Sequence, residues 1–335
     1  MIRLFLLVLG ISTMVVPQLS QAQQIGKVAV IYKEGQPTVV MWRRIADQVE
    51  KETQGRVQLK VYPNGQLGGE KEVAEGMRLG SIQAADSTVA TLTAWVPEGA
   101  LFDLPFVFRD RKHIEKVTSG PIGEDYKRKY DAQGFHVLGY IVYGSRDLVS
   151  RSAVAKPEDI KGHKMRVLQS PLHIKVWQTL GTEPVPIPIT EAYSALDTGV
   201  VDLMDMTTDG YEALKLYEVA PYLIETNHIW SIGAVMVAKK FWDNLTVADQ
   251  AVVQKAANEA IPFFNTLQAE TGSAALNRTR DKGAKISQTS REVWQQAMLP
   301  VWREWADKVG GAAAIDATAV AGAAAVTSLT AFGTC

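Results

Sequence analysis

The sequence predicts an α/β fold organised as two domains or as one discontinuous pair of lobes. Three observations lead there. The chain has 335 residues, about twice the usual size of a single domain. Near its start, two short stretches of period-two apolar residues flank one of helical period, which is a β-α-β unit. Late in the chain, a helical stretch beginning after Thr246 and running past Leu267 is long enough to touch both halves.

Composition narrows the class. Hydrophobic residues make up 47% and charged residues 21%, which suits a protein that buries a real core. The 35 basic and 36 acidic residues leave a net charge of -1. The longest Lys/Arg run is three residues, Lys127-Arg128-Lys129, so a nucleic-acid surface is not expected. At the start, Arg3 precedes an apolar run from Leu4 to Val16, followed by Pro17 and the small-residue site Ser20-Gln21-Ala22. This reads as an export signal over residues 1–22, with cleavage expected after Ala22. The run is short of the ~20 apolar residues of a span, so no stable membrane insertion is expected. Cys335 is the single cysteine, which rules out an internal disulfide framework and suits a large exported protein of a bacterial periplasm.

Taken in order, Val28, Val30 and Ile31 mark a strand over Lys27–Tyr32. Pro37 opens a helix with Val39, Trp42, Ile45, Ala46 and Val49 on one stripe. Val57, Leu59 and Val61 alternate with polar neighbours as a half-buried strand. After the glycine-rich loop at Pro63–Gly69 come a helix over Glu70–Leu79 and a short strand over Ile82–Ser87. Phe102–Phe108 is apolar but interrupted by Pro105, and reads as a packed loop or strand edge. Two helices, Arg111–Val117 and Ile122–Ala132, precede a strand over Phe135–Tyr143, and at Gly144-Ser145-Arg146 the pattern changes.

The second half reads less regularly. Pro157–Gly162 is a polar turn running into a strand in which Met165 and Val167 alternate with Lys164 and Arg166. A helix after Pro171 and the run Pro184–Pro188 follow, then a helix with Thr190 as N-cap. Val200–Met206 is a short buried strand, Tyr211–Tyr217 a helix, and Ile229–Ala238 a strand returning to the first lobe. Thr246 caps the long helix, with a kink expected at Pro262. Glu292–Val309 is amphipathic, with Trp294, Trp302 and Trp305. The Gly/Ala-rich stretch 311–335 receives no assignment.

Arg166 is the residue of most interest. A guanidinium at a strand end offers a rigid fork of donors matched to a carboxylate, which a lysine cannot reproduce. A single arginine is more often a solvated surface group; the surrounding motifs raise its standing. Common catalytic signatures do not occur: there is no Gly-x-Ser-x-Gly elbow, phosphate loop or dinucleotide fingerprint. His113, His136, His163, His173 and His228 lack metal-ligand spacing, and each reads as a surface or core histidine. No metal or cofactor is expected, and no enzymatic activity.

Three blocks, in order, carry a resemblance. The first is Tyr62-Pro63-Asn64-Gly65-Gln66-Leu67-Gly68-Gly69-Glu70, with Leu79-Gly80-Ser81 and Asp103-Leu104-Pro105-Phe106 after it. The second is Pro157-Glu158-Asp159-Ile160-Lys161-Gly162-His163-Lys164-Met165-Arg166-Val167. The third runs from Glu191-Ala192-Tyr193 through Gly199-Val200-Val201-Asp202 to Leu216-Tyr217-Glu218-Val219 and Thr226-Asn227-His228. From about Lys27 to about Gln268 the chain resembles the DctP-like solute-binding proteins of tripartite ATP-independent periplasmic (TRAP) transporters.

The resemblance implies a two-lobed, type II-like binding protein whose lobes are joined by crossing strands and one long helix. The lobes implied are 23–144 plus 232–271, and 145–231 plus 272–310. They would close on a small organic acid and deliver it to TRAP membrane permease subunits. Arg166 would pair with the ligand carboxylate, supported by Arg146 of Gly144-Ser145-Arg146, and Thr88 would close from the first lobe. Where relatives commonly carry Val-Asp-Gly-Gln-Glu-Asn, this chain has Val201-Asp202-Leu203-Met204-Asp205-Met206, so Met206 replaces a polar ligand contact. Ile189 stands where an aromatic often lines the pocket. Both departures favour a less polar acid, aliphatic, keto or aromatic, because methionine suits apolar surfaces.

Other readings differ in what they require. A periplasmic sensor would share every feature and differ only in its membrane partner. Asp205 and Tyr211 are counted among the candidate substrate-binding residues; an exported hydrolase or lyase would need a poised base or nucleophile beside Arg166, and the same two residues are its candidates. A binding protein for an ATP-driven importer would share the two lobes, but the single long interlobe helix argues against it.

Overall fold

The computed structural model describes residues 23–320; the expected export signal and residues 321–335 lie outside them. The β-α-β start forms, with its first strand three residues earlier than the expected Lys27–Tyr32. Strand β1 (Gln24–Ala29) leads to helix α1 (Pro37–Glu52), with Pro37 in its first turn, and strand β2 (Val57–Tyr62) returns parallel to β1. Helix α2 (Glu70–Leu79) carries Glu70 and Glu72 in its first turn, where the helix dipole favours negative charge. It ends at Gly80 in the left-handed conformation that glycine adopts at least cost. Strand β3 (Ala84–Thr88) and the single turn α3 (Val89–Leu92) follow, and Thr88 caps that turn with its own side chain. The Phe102–Phe108 region is a short 3-10 helix over Pro97–Asp103 running into packed loop. Helices α4 (Arg111–Thr118) and α5 (Pro121–Ala132) complete the first layer.

Strand β4 (Phe135–Ser150) does not stop at Tyr143. The pattern change at Gly144-Ser145-Arg146 is a pair of β-bulges, one between Val142 and Gly144 and one between Arg146 and Leu148. Gly144 has φ +140°, a backbone conformation that L side chains rarely adopt. The later elements are β5 (Lys164–Val167), α6 (Pro171–Thr179), β6 (Glu183–Pro186), α7 (Ala192–Asp197), β7 (Leu203–Thr207) and α8 (Thr208–Ala213). Thr190 is not a side-chain cap: it lies inside a 3-10 turn over Ile189–Glu191 that precedes α7. The helix expected over Tyr211–Tyr217 begins earlier, at Thr208, and is broken where Lys215 takes φ +54°.

Strand β8 (Tyr222–Ala238) is likewise longer than its apolar core suggests. Helices α9 (Lys239–Asn244) and α10 (Val247–Asp281) follow, and the Thr246 side chain accepts from the Asp249 backbone as an N-cap. Pro262 lies inside α10. The chain then forms β9 (Lys285–Gln288), α11 (Arg291–Trp305) and α12 (Ala312–Val320), of which β9 and α12 left no clear periodic signal.

All strands join in one sheet of order β2-β1-β3-β8-β4-β7-β5-β6, with β9 on the other end of β8. Its register divides the molecule. Gly233–Val237 of β8 pairs with β3, whereas Tyr222–Glu225 pairs with β9. Arg146–Ser150 of β4 pairs with β7, beyond which lie β5 and β6. Two long antiparallel strands thus pass from a first half-sheet to a second, and the bulges mark the crossing. With 35 residues, α10 extends about 50 Å and bridges both halves. Near its start Lys255 pairs with Glu52 of α1, and near its end Arg278 pairs with Glu212 of α8. Between these, Asn265 accepts from the Val142 backbone and Gln268 donates to the Tyr143 carbonyl, which fixes the crossing strands.

Opposite the second bulge, Asp147 stands alone against Glu225–His228 of β8. Its buried carboxylate accepts from the Asn227 backbone at 2.9 Å, and Asn227 has φ +46°. Burial pushes the Asp147 pKa up to about 8, the Asn227 hydrogen bond opposing. Between the unfolded value near 3.9 and about 8, the unfolded chain binds fewer protons than the folded one, so this residue costs stability as pH rises. Asp147→Asn is expected to raise Tm by several degrees at pH 8 and to change it little at pH 4. Melting curves at both pH values check this; an equal effect at the two would show that titration is not the cause.

Candidate functional site

The crossing strands bring distant sequence together at one cavity. It is lined by the end of the β1 loop, the starts of α2 and α3, the bulged part of β4, β5 and the segment after β6. Arg166, Arg146, Thr88, Ile189 and Met206 all line it. Glu70, Asp86, Tyr143 and Tyr32 do so as well, and sequence periodicity singled out none of these four as site residues.

Arg166 follows from its strand. Residues Met165, Arg166 and Val167 are all buried because β5 is sandwiched between β6 and β7, with Arg166 opposite Val185 and Met204. The Arg166 side chain is 3% exposed, and its Nε donates to the Ile187 carbonyl at 2.8 Å. Among the described residues no carboxylate lies within ion-pair distance of it. Burial, with Arg146 nearby, lowers its pKa to about 10, so it remains charged at neutral pH. A buried cation without a counter-ion is costly.

Arg146 is in the opposite situation. Its Nε donates to Asp205 Oδ2 at 2.6 Å, and its Nη2 donates to Asp205 Oδ1 at 2.9 Å and to the Asp205 carbonyl at 2.8 Å. This is the bidentate geometry of a strong charge-assisted pair. Burial alone would raise the Asp205 pKa, but the charge and hydrogen bonds of Arg146, aided by His228, hold it well below the usual carboxylate range. His228 Nε2 lies 3.3 Å from Asp205, and its Nδ1 is 2.8 Å from the Thr226 hydroxyl. The fork of Arg146 is therefore locked from behind, by residues of the Thr226-Asn227-His228 bulge.

The opposite wall is acidic. Glu70 accepts from the Thr88 backbone at 3.1 Å, the Thr88 hydroxyl at 2.7 Å and the Thr91 hydroxyl at 2.5 Å. Asp86 accepts from Trp42 Nε1 at 2.8 Å and the Tyr143 hydroxyl at 2.6 Å. Burial pushes the Asp86 pKa up to about 6, its two hydrogen bonds opposing and Glu70 adding to it. The cavity is lined by Arg146, Arg166, Leu168, Ile187, Ile189 and Met206 from the second half and by Glu70 and Asp86 from the first.

Two expected positions fall elsewhere. Asp205 stands behind Arg146, fully buried and outside the cavity lining, because adjacent residues of β7 alternate and Met206 takes the cavity side. The Tyr211 ring is buried in the cluster of Ala192, Leu196, Met206 and Leu216, and its hydroxyl donates to the Ala220 carbonyl at 2.9 Å. Neither candidate base of the hydrolase reading faces the cavity. The end of Met206 packs over Gly210, where an added Cβ would meet the Met206 methyl at 2.0 Å. Thr88 is at the lining, but its hydroxyl is engaged by Glu70 and Thr91. Among the described residues no group of three or more His, Cys, Asp and Glu is placed to hold a metal, and no helix is long and apolar enough to cross a membrane.

Comparison with known proteins places this geometry in context. The family model of bacterial extracellular solute-binding protein, family 7 (DctP), matches residues 28–308. The C4-dicarboxylate-binding periplasmic protein DctP of Rhodobacter capsulatus is 30% identical over 272 residues, 80% of this chain and 82% of that one. Among solved structures, a TRAP periplasmic solute-binding protein from Bradyrhizobium in complex with D-galacturonate is 31% identical with a TM-score of 0.85, covering 88% of this chain and 99% of that one. Another, from Sulfurospirillum deleyianum with bound succinate, is 29% identical with a TM-score of 0.85, covering 90% and 99%.

Proposed function

The chain belongs to bacterial extracellular solute-binding protein family 7, the solute-binding proteins of TRAP transporters, and on that premise we propose that it captures a small organic monocarboxylate and delivers it to TRAP permease subunits. Members of this family are transport components. The export signal at residues 1–22 and cleavage near Ala22 belong to the same proposal, as does a periplasmic location.

One observation carries the ligand class: Arg166 is buried, charged and without a carboxylate partner, beside an Arg146 already neutralised by Asp205. A ligand carboxylate entering this cavity loses its water, and paired charge-assisted hydrogen bonds offset that loss. It also supplies the counter-ion that the protein does not. Closure around a ligand touching both walls then favours the closed form.

The acidic wall refines the choice. A second carboxylate on the ligand would face Glu70 and Asp86, so a monocarboxylate is favoured over a dicarboxylate. Ile189 and Met206 give the body of the ligand an apolar side, whereas Glu70 and Asp86 can accept from a hydroxyl. A short hydroxy or keto acid satisfies both walls.

A thermal-shift screen tests this with lactate, pyruvate, benzoate, D-galacturonate and succinate, and with lactamide, pyruvamide and benzamide as neutral counterparts. A ligand at 100 times its Kd adds about 2.7 kcal/mol to the folded state. At roughly 2–4 °C per kcal/mol, the expected shift is several degrees for a monocarboxylate and none for its amide. Equal shifts with acid and amide would overturn the carboxylate reading, and a larger shift with succinate than with any monocarboxylate would overturn the reading of the acidic wall.

A further inference from the structure

We propose that the ring of Tyr32 is the door of the ligand cavity, carried by the first lobe and seated against the second. Tyr32 lines the inner cavity together with Arg146 and Arg166. It also lines a second, more open basin together with Tyr193, Leu214 and Lys215 of the second lobe. Ile31 and Tyr32 are the residues shared by the two spaces. A solute passing between basin and cavity therefore meets this side chain.

The anchoring of Tyr32 fits such a part. It lies just past the end of β1, and its backbone carbonyl accepts from Asn64 at 2.8 Å, while Gly65 donates to Val30. Asn64 and Gly65 both have positive φ, which sets the tight turn that holds this segment to the first lobe. The side chain, in contrast, packs against the second-lobe cluster that contains Met206, Tyr211 and Leu216. A backbone fixed to one lobe and a ring partly buried against the other part company when the lobes separate.

Tyr32 shares the cavity lining with Glu70, Asp86 and Arg146. The charges felt by its hydroxyl are those of Asp209, Glu70, Arg146 and Asp86, and burial with the nearby carboxylates raises its pKa, Arg146 opposing. Among the described residues no protein hydrogen bond holds this hydroxyl. It is thus placed to bond a ligand while the ring blocks the exit. Ligand release then requires the ring to leave its seat, so the door governs dissociation more than association.

This inference rests on the carboxylate-capture reading, and the experiment separates the two. Stopped-flow binding can be followed through Trp42, which is bonded to the cavity residue Asp86, using as probe whichever acid of the screen binds the wild type most tightly. Tyr32→Ala is expected to raise koff at least tenfold with kon changed less than threefold. Tyr32→Phe keeps the ring and is expected to raise koff by less than threefold. A koff for Tyr32→Ala within twofold of wild type would overturn the proposal, as would equal koff values for the Ala and Phe variants, which would assign the effect to the hydroxyl.

Should the wild type bind none of the five acids, the capture reading fails and the door is read without ligand. Spin labels at Glu75→Cys on α2 and Ser194→Cys on α7, in a Cys335→Ser background, report the distance between lobes by pulsed electron resonance. Tyr32→Ala is expected to lose the short-distance population that the wild type retains. Identical distance distributions would overturn the proposal.

Discussion

Arg166→Ala is expected to reduce affinity for the cognate acid at least thirtyfold while leaving the ligand-free protein as stable as wild type or more so. The two halves of this expectation come from the same fact. Arg166 is buried and has no carboxylate partner among the described residues, so the ligand-free fold carries an uncompensated charge whose removal relieves a cost. The ligand, in turn, loses the donors that replace its water. Truncating one partner of a buried, hydrogen-bonded charge pair costs about 2–5 kcal/mol or more, which spans roughly thirtyfold to several thousandfold in Kd. Arg166→Lys keeps the charge but loses the fork, and the Nε bond to Ile187 that orients it, so it is expected to bind at least tenfold more weakly. Titration calorimetry with the best acid of the screen, together with melting curves without ligand, measures both halves. If either variant bound as wild type does, the carboxylate-anchor role of Arg166 would have to be withdrawn.

How much of this was legible in the sequence depends on whether the cause was local. Helix α1 was visible because Pro37 and the stripe Val39, Trp42, Ile45, Val49 act within one element, and Thr246 announced α10 through a cap three residues long. Strand β5 could be read from four residues, with Arg166 at its centre. The lengths of β4 and β8 could not, since Gly144-Ser145-Arg146 breaks the alternation and only the partner strand explains the break as bulges. The acidic wall was hidden for a similar reason. Glu70 reads as a favourable first-turn charge and Asp86 as one polar residue in a short strand; their meeting across the cavity is set by β3, α1 and the crossing of β4. Tyr32 carried no signal either, because it lies just past a strand whose period it appeared to continue. The chemistry of Asp205 misleads in the opposite sense: as a carboxylate it reads as a candidate base, and the pairing with Arg146 shows a support.

That support can be separated from recognition by its effect on stability. Asp205→Asn keeps the shape of the side chain and removes the charge, leaving Arg146 and Arg166 both buried with no counter-ion. Breaking a buried pair from one side costs about 3–5 kcal/mol, so this variant is expected to melt far below wild type, where Arg166→Ala does not. The pH dependence identifies the cause. The Asp205 pKa is held well below its ordinary value by Arg146 against the opposing effect of burial, so its stabilisation is complete above the unfolded value near 3.9 and is lost as pH falls toward the folded value. The difference in Tm between wild type and Asp205→Asn should therefore be full at pH 7 and shrink as the solution is made more acidic than pH 4. Replacing both partners, Arg146→Met with Asp205→Leu, removes the pair without stranding either charge and is expected to recover most of the lost stability. It should not recover binding, because the cavity then keeps one of its two arginines. A double variant as unstable as Asp205→Asn would mean that the pair holds the crossing strands by more than charge balance, and a double variant that binds normally would remove Arg146 from the ligand site.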